Sequence, residues 1–211
     1  MHKLERGEAP ICLSTFDYRQ GHQWVDVNPV QKAEIWQALN AMQGQRCAYC
    51  EKDIENKACH IEHFVQRSSA PPLTFDWRNI FGSCNESDSC GKHKDHKAAP
   101  YSNSDLVKPD DEDAEDLIVF NASGKCAPRK DLTEQQHIRA FETIRIFNLN
   151  SKKLTQSRRS HLEGYIKTAE VLKTMIDEFG ESDSRPLIED EIRQITHLPF
   201  ATAIKHILIG N

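Results

Sequence analysis

The chain has no run of 18 or more apolar residues, and no basic N-terminal patch leading into a short apolar stretch and a small-residue cleavage site. The first absence excludes a helical membrane span and the second gives no sign of export, so a cytoplasmic protein without membrane contact is expected. Positive charge is not in excess either. With 27 Lys and Arg against 32 Asp and Glu, the net charge is -5, which excludes a protein that holds nucleic acid by bulk charge alone. There is no internal repeat. At 211 residues the chain suits one domain with a good core, or a small functional module on a helical body; two full domains would be tight.

What the chain does have is cysteine. Seven is an odd number, and without an export signal a disulfide framework is a poor explanation, so metal binding is tested first. "CAYC" supplies Cys47 and Cys50; after 33 intervening residues, "CNESDSC" supplies Cys84 and Cys90. Two pairs on tight knuckles suit four thiolates converging on tetrahedral zinc, and a closed four-cysteine site has no open position, so its role is structural. The second pair is spaced more widely than usual. The competing explanation is four buried free thiols, since cysteine packs well as a small hydrophobe. Cys12, Cys59 and Cys126 have no partner at ligand spacing and are expected to be bystanders.

The rest of the chain divides by composition. Residues 1–45 form an extended lead-in followed by a helix, with Asn28 as N-cap, Pro29 at the first helical position, Ile35, Leu39 and Met42 on one face, and Gly44 as the stop. Residues 46–100 are dense in Cys, His, Gly and Pro, the composition of a metal-stapled module. Residues 101–130 carry the acidic run "DDEDAED" and one strand candidate, "LIVF" at 117–120. Residues 131–211 are helical: a capping box at Thr133 and Gln136 opens a stripe of Ile138, Phe141 and Ile144; a second helix runs from about Ser151 to Phe179; a third from about Glu189 to Leu208, bent at Pro199. The basic clusters "GKHKDHK", "GKCAPRK" and "KKLTQSRR" allow a nucleic-acid groove, although such runs are commonly solvated faces.

Within the span enclosed by the cysteines lies "CHIEH". On a strand, Glu62 and His63 face opposite sides while His60 and Glu62 share one. A neutral imidazole at His63 is suited to deprotonating a water, and a carboxylate at Glu62 to holding a hard divalent cation that stabilises charge on a phosphate. In "FDWRNIFGSC", Trp77 and Ile80 are core positions and Asn79 offers a side-chain donor and acceptor. Beyond Cys90, a short helix could aim His93, Asp95 or His96 back at Glu62. His60-Ile61-Glu62 is also the first half of a zinc deaminase signature, but Ser83 precedes Cys84 and five residues separate the cysteines, so the second half fails twice.

The order Cys47-Cys50, Glu62-His63, Asn79, Cys84, Cys90 and then a turn rich in His and Lys resembles the HNH nuclease motif, a ββα-metal finger often stapled by zinc knuckles. "IEHF", "FDWRNIFGSC", "CGKHKD", the opening "KLERGEAP" and the later "FETIRIFNLNSKKLTQSRR" are similar to HNH proteins of the PtuB type, found beside a PtuA-type ATPase in Septu and retron-linked anti-phage systems. The resemblance implies an α+β, mostly helical protein with a zinc-stapled ββα-metal module on a helical body that docks the ATPase. It implies a metal-dependent endonuclease acting on DNA or RNA, with His63 as general base, Glu62 as ligand of a catalytic Mg2+ or Mn2+, and Asn79 tying down the loop that orients His63. The last motif residue normally follows the final cysteine; Gly91 stands there, so the second ligand shifts to His93 first, then Asp95 or His96. Lys94 is placed to face a phosphate. A non-catalytic zinc-knuckle adaptor for nucleic acid or a protein partner is the alternative.

Overall fold

The computed structural model describes residues 1–55 and 59–210. Helix α1, Pro29–Gln43, starts and stops where its sequence dictates. The Asn28 side chain accepts from the Gln31 amide and Gln31 returns the bond, while Gly44 takes the left-handed conformation at φ 57° that glycine adopts without a side-chain penalty. Its buried face carries Ile35, Leu39 and Gln43. The Gln43 amide clasps the next element by accepting from Gly82 N at 2.7 Å and donating to Gly82 O at 2.9 Å.

That element is β2, Ile80–Cys84, which pairs antiparallel with β1, Cys59–His63, in the register Cys59 to Cys84 through His63 to Ile80. Every residue of β2 is buried. Gly82 is needed there because a Cβ would lie 2.9 Å from the Trp36 ring. A short helix, α2, Cys90–His96, packs back on β2. A second antiparallel pair joins β3, Ile118–Phe120, to β4, Cys126–Pro128. Four helices follow: α3, Glu134–Ile146; α4, Lys152–Phe179; α5, Glu181–Ile195; and α6, Ala201–Leu208. The architecture is α+β with small sheets. No helix among the described residues is long and apolar enough to cross a membrane.

Several expectations need correcting. The lead-in is not extended throughout but contains three 3-10 turns, Ile11–Thr15, Tyr18–Gln20 and Trp24–Asp26. The capping box of α3 forms as expected, yet Ile138 and Phe141 are 41% and 53% exposed. The buried face of α3 is instead Ala140, Thr143 and Ile146, because the chain at 106–107 packs there: Thr143 Oγ1 accepts from Val107 N at 2.8 Å. The single helix expected from Glu189 to Leu208 is two helices. Pro199 has no N–H to continue a ladder, and Phe200 sits at φ 59°, so the chain turns before α6. β4 had no strand signal of its own; it is recruited by the turn at Gly124 and by Asn150, which donates to Cys126 O and accepts from Cys126 N, both at 2.8 Å.

The acidic run is not simply a solvated face. Asp110 pairs with Arg6 at 2.7 Å, Glu112 with Arg139, and Glu115 with Lys205 at 2.6 Å. These pairs tie the loop at 110–116 to the N-terminal segment, to α3 and to α6. Arg158 on α4 is fully buried. Its guanidinium donates to the Leu149 and Gly124 carbonyls and lies 4.7 Å from the centre of the Phe120 ring, so carbonyl dipoles and an aromatic face stand in for a carboxylate.

Candidate zinc centre and catalytic cleft

Cys47 and Cys50 lie on the turn that follows α1, Cys84 ends β2, and Cys90 starts α2. The knuckle at Cys47 is local, with Glu51 N donating to Cys47 O and Cys47 N to Lys52 O, both at 2.9 Å. The backbone places Cys90 at φ 54°, a left-handed conformation rare outside glycine, and its amide donates to Phe147 O at 2.7 Å. All four sulfurs are buried and lie within 4.8 Å of one another, with Cys50 and Cys84 at 3.9 Å. Zinc bonds of about 2.3 Å in a tetrahedron put sulfurs about 3.8 Å apart. The donor set and spacing fit zinc.

Burial disfavours the Cys47 thiolate, but the sulfurs of Cys50, Cys84 and Cys90 outweigh burial and hold this thiol well below its usual range. Among the described residues these four form the one cluster of metal-ligating side chains of this kind. Cys59, although across from Cys84 in the sheet, is not in it. Neither is His60, whose Nε2 donates to Glu62 Oε2 at 3.1 Å, so the deaminase arrangement of one histidine with two cysteines does not form.

Beside β1 and α2 lies a cleft of about 760 Å³, lined among others by Trp24, His60, Glu62, His63, Arg67, Lys92, Asp95 and His96. His63 is 5% exposed. Its Nε2 donates to the Thr74 carbonyl at 2.9 Å, which places the proton on Nε2 and leaves Nδ1 with a lone pair. Among the described residues nothing hydrogen-bonds Nδ1. The Trp24 ring meets the imidazole edge-on at 4.6 Å between centres. Burial pushes the His63 pKa down to about 4, so the ring is neutral at neutral pH, with the Nδ1 lone pair unprotonated.

Asn79 holds the loop that presents the Thr74 carbonyl. Its Oδ1 accepts from Val65 N at 2.8 Å, and its Nδ2 donates to Val65 O at 3.0 Å and Leu73 O at 3.2 Å. The side chain thereby clamps both ends of residues 65–73, next to Thr74.

Glu62 is 2% exposed. Lys94 on α2 brings its Nζ to 2.9 Å from Glu62 Oε1, in ionic contact but not aligned as a hydrogen bond, so Oε1 is a buried acceptor without a hydrogen-bond donor. Lys94 also donates to His63 O at 3.1 Å and pairs with Asp95. Burial works against this ammonium, but Glu62 and Asp95 outweigh burial and raise its pKa. Glu62, Asp95 and His96 line this one cleft and are donors of the kind a hard divalent cation takes, although among the described residues they do not converge as the four cysteines do.

Of the sequence-derived site residues, the structure brings Glu62 and His63 to the cleft and Asn79 beneath its loop. It does not bring His93 there. His93 Nδ1 donates to Ile146 O at 2.8 Å, pointing at α3, and only Asp95 and His96 of the three alternatives line the cleft. Lys94, expected to face a phosphate, is instead buried against Glu62, one turn beyond Gly91 on the same face of α2. Nothing in the sequence signalled Trp24 or the Thr74 carbonyl.

Gly91 explains how a glutamate fits here. A Cβ at Gly91 would overlap the Glu62 carboxylate, so the absence of a side chain after Cys90 is what leaves the carboxylate room. Gly91→Ala is expected to destabilise the protein by about 1–3 kcal/mol, the usual cost of overpacking. A denaturant midpoint unchanged from wild type would disprove this account of the glycine. His63 makes a second stability prediction. As pH falls below about 6.5, the unfolded chain takes up a proton that the folded ring refuses until about pH 4, so stability drops across that window. Urea midpoints at pH 7 and pH 5, for wild type beside His63→Gln, should show a steeper loss in wild type.

No protein-family model matches the chain. It is 29% identical over 152 residues to "Septu protein PtuB" of Bacillus thuringiensis, covering 71% of this chain and 54% of that protein. It is 26% identical over 137 residues to "Retron Vc95 putative HNH endonuclease" of Vibrio cholerae serotype O1 biovar El Tor, covering 61% of this chain and 63% of that one. The matched region thus spans less than two thirds of either relative.

Proposed function

We propose, from the similarity to a Septu PtuB protein and a retron HNH-type nuclease, that this chain is a metal-dependent HNH endonuclease that hydrolyses nucleic-acid phosphodiester bonds as the effector of an anti-phage system. On this reading β1, β2 and α2 are the ββα-metal module, residues 46–100 are its span, and residues 131–211 are the helical body that docks a PtuA-type ATPase.

The observation that carries the reading is His63: a buried neutral imidazole, its Nε2 proton fixed on the Thr74 carbonyl and its Nδ1 free, on a cleft floor beside a carboxylate. Nδ1 takes the proton from water as the water attacks phosphorus. Thr74, held through the Asn79 clamp, keeps the tautomer and the ring angle, and Trp24 bars the ring from turning. Glu62, with Asp95 or His96, would hold the divalent ion, which when bound supplies positive charge to the developing phosphorane and the leaving oxygen. Arg67 and Lys92, on the cleft rim, meet the flanking phosphates.

The test is cleavage of plasmid DNA and of total tRNA by the purified protein with a PtuA-type ATPase, with and without Mg2+ or Mn2+. Cutting that needs both the metal and His63 supports the reading and identifies the substrate. Equal cutting with and without the ATPase would remove the partner from it. With His63 as base, the acid limb of the rate profile falls well below the ordinary histidine value near 6.5, toward the ring's value of about 4. An acid limb at 6.5 or above would assign the base to another group. The adaptor reading draws on one specific observation, that Glu62 is already engaged by Lys94 and His60; a zinc-loaded protein that cuts neither substrate would favour it.

A further inference from the structure

Lys94 is a lysine with no exposed side-chain surface, and lysines are almost never fully buried without a partner. Its partners are the carboxylates of Glu62 and Asp95, the two acids that line the cleft. It reaches Glu62 only because Gly91, one turn earlier on the same helix face, leaves the carboxylate room. The local charge is simple: Glu62 and Asp95 contribute two negative charges and Lys94 one positive, so the cluster carries a single negative charge. A divalent cation attracted to Glu62 therefore meets a resident ammonium a few ångströms away, in a buried setting where water screens the repulsion poorly. The contact is nevertheless not a closed hydrogen bond, since Glu62 Oε1 has no aligned donor. The carboxylate is neutralised without being locked by the ammonium, and its Oε2 accepts from His60 at 3.1 Å.

We propose that Lys94 is a built-in competitor of the divalent cation at Glu62, keeping the buried carboxylate neutralised when no ion is bound and holding metal affinity low. The inference rests on the metal-dependent reading above and adds the residue that controls loading. Lys94 acts through Glu62 and touches neither the attacking water nor the scissile bond, so it is a positioning residue. Removing its charge doubles the negative charge of the cluster, and the carboxylate, left buried without a counter-ion, gains most from a metal.

The experiment is a Mn2+ titration, followed by the electron paramagnetic resonance of free Mn2+, on the full zinc-loaded chain. Wild type is compared with Lys94→Met, Lys94→Gln and each of these combined with Glu62→Gln. Loss of the lysine should tighten Mn2+ binding by at least about tenfold, and Glu62→Gln should abolish the gain. Lys94→Gln retains a donor for the His63 carbonyl and serves if the methionine variant fails to fold. As a second readout, the lysine variants should melt lower than wild type without Mn2+ and recover more of that loss when Mn2+ is added. Mn2+ binding that depends on Glu62 but is equally tight or weaker in the lysine variants overturns the competitor and leaves the metal reading standing. No Glu62-dependent Mn2+ binding in any of the proteins overturns both.

Discussion

His63→Ala should lower phosphodiester cleavage by about 100- to 10,000-fold, the contribution of a positioned general base. The expectation comes from the state of the ring. Burial holds its pKa near 4, so the proton-accepting form is fully populated at neutral pH. The Thr74 carbonyl fixes the remaining proton on Nε2. His22, His60 and His96, the other imidazoles lining the cleft, do not have this arrangement: His22 Nδ1 accepts from Asp17 N and His60 turns its Nε2 to Glu62. An alanine at 63 removes an imidazole that is nearly buried, so the variant must be checked for zinc content and for its melting temperature before its rate is read. Normal turnover by a folded, zinc-loaded His63→Ala protein would refute the assignment of the base.

Loss of zinc should have the largest effect on the fold itself. The four cysteines join three elements, the turn after α1, the end of β2 and the start of α2, and their sulfurs are all buried. Apparent binding free energies for structural zinc in small peptides are about 10–16 kcal/mol at neutral pH, comparable with the entire stability of a typical domain, about 5–15 kcal/mol. Cys84→Ser, or exhaustive chelation during unfolding and refolding, is therefore expected to abolish cooperative melting of the region around β1, β2 and α2. Circular dichroism together with metal analysis checks this. A Cys84→Ser protein that melts like wild type and holds no zinc would show that the cysteines are buried thiols and not a metal site. Because Cys90 is held at φ 54° with its amide on Phe147 O, the disturbance should spread into the loop after α3.

How much of this was readable in advance depended on the range of the interaction involved. The start and stop of α1 and the capping box of α3 were legible because Asn28 with Gln31, Gly44, and Thr133 with Gln136 act within one turn of backbone. The four-cysteine cluster was legible because each half is bounded by a short turn, and thiolate chemistry leaves few alternatives for two such pairs. The segment "CHIEH", considered as a strand, is one, yet Glu62 and His63, expected on opposite faces of it, both line the same cleft.

What the sequence could not decide is what each residue meets across the fold. Ile138 and Phe141 have the spacing of a core stripe but stand exposed, because the chain at 106–107 claims the other face of α3. His93 was the natural candidate for Glu62 by proximity along the chain; the helix turns it to Ile146 instead. The sequence by itself determined the four-cysteine cluster, the placing of Glu62 and His63 side by side on β1, and the capped helices, since these rest on spacing and local hydrogen bonds. Only the tertiary structure decided that the His63 ring is oriented by Thr74, edged by Trp24, and neighboured by a carboxylate that already holds Lys94, because such pairings depend on segments distant along the chain being packed together.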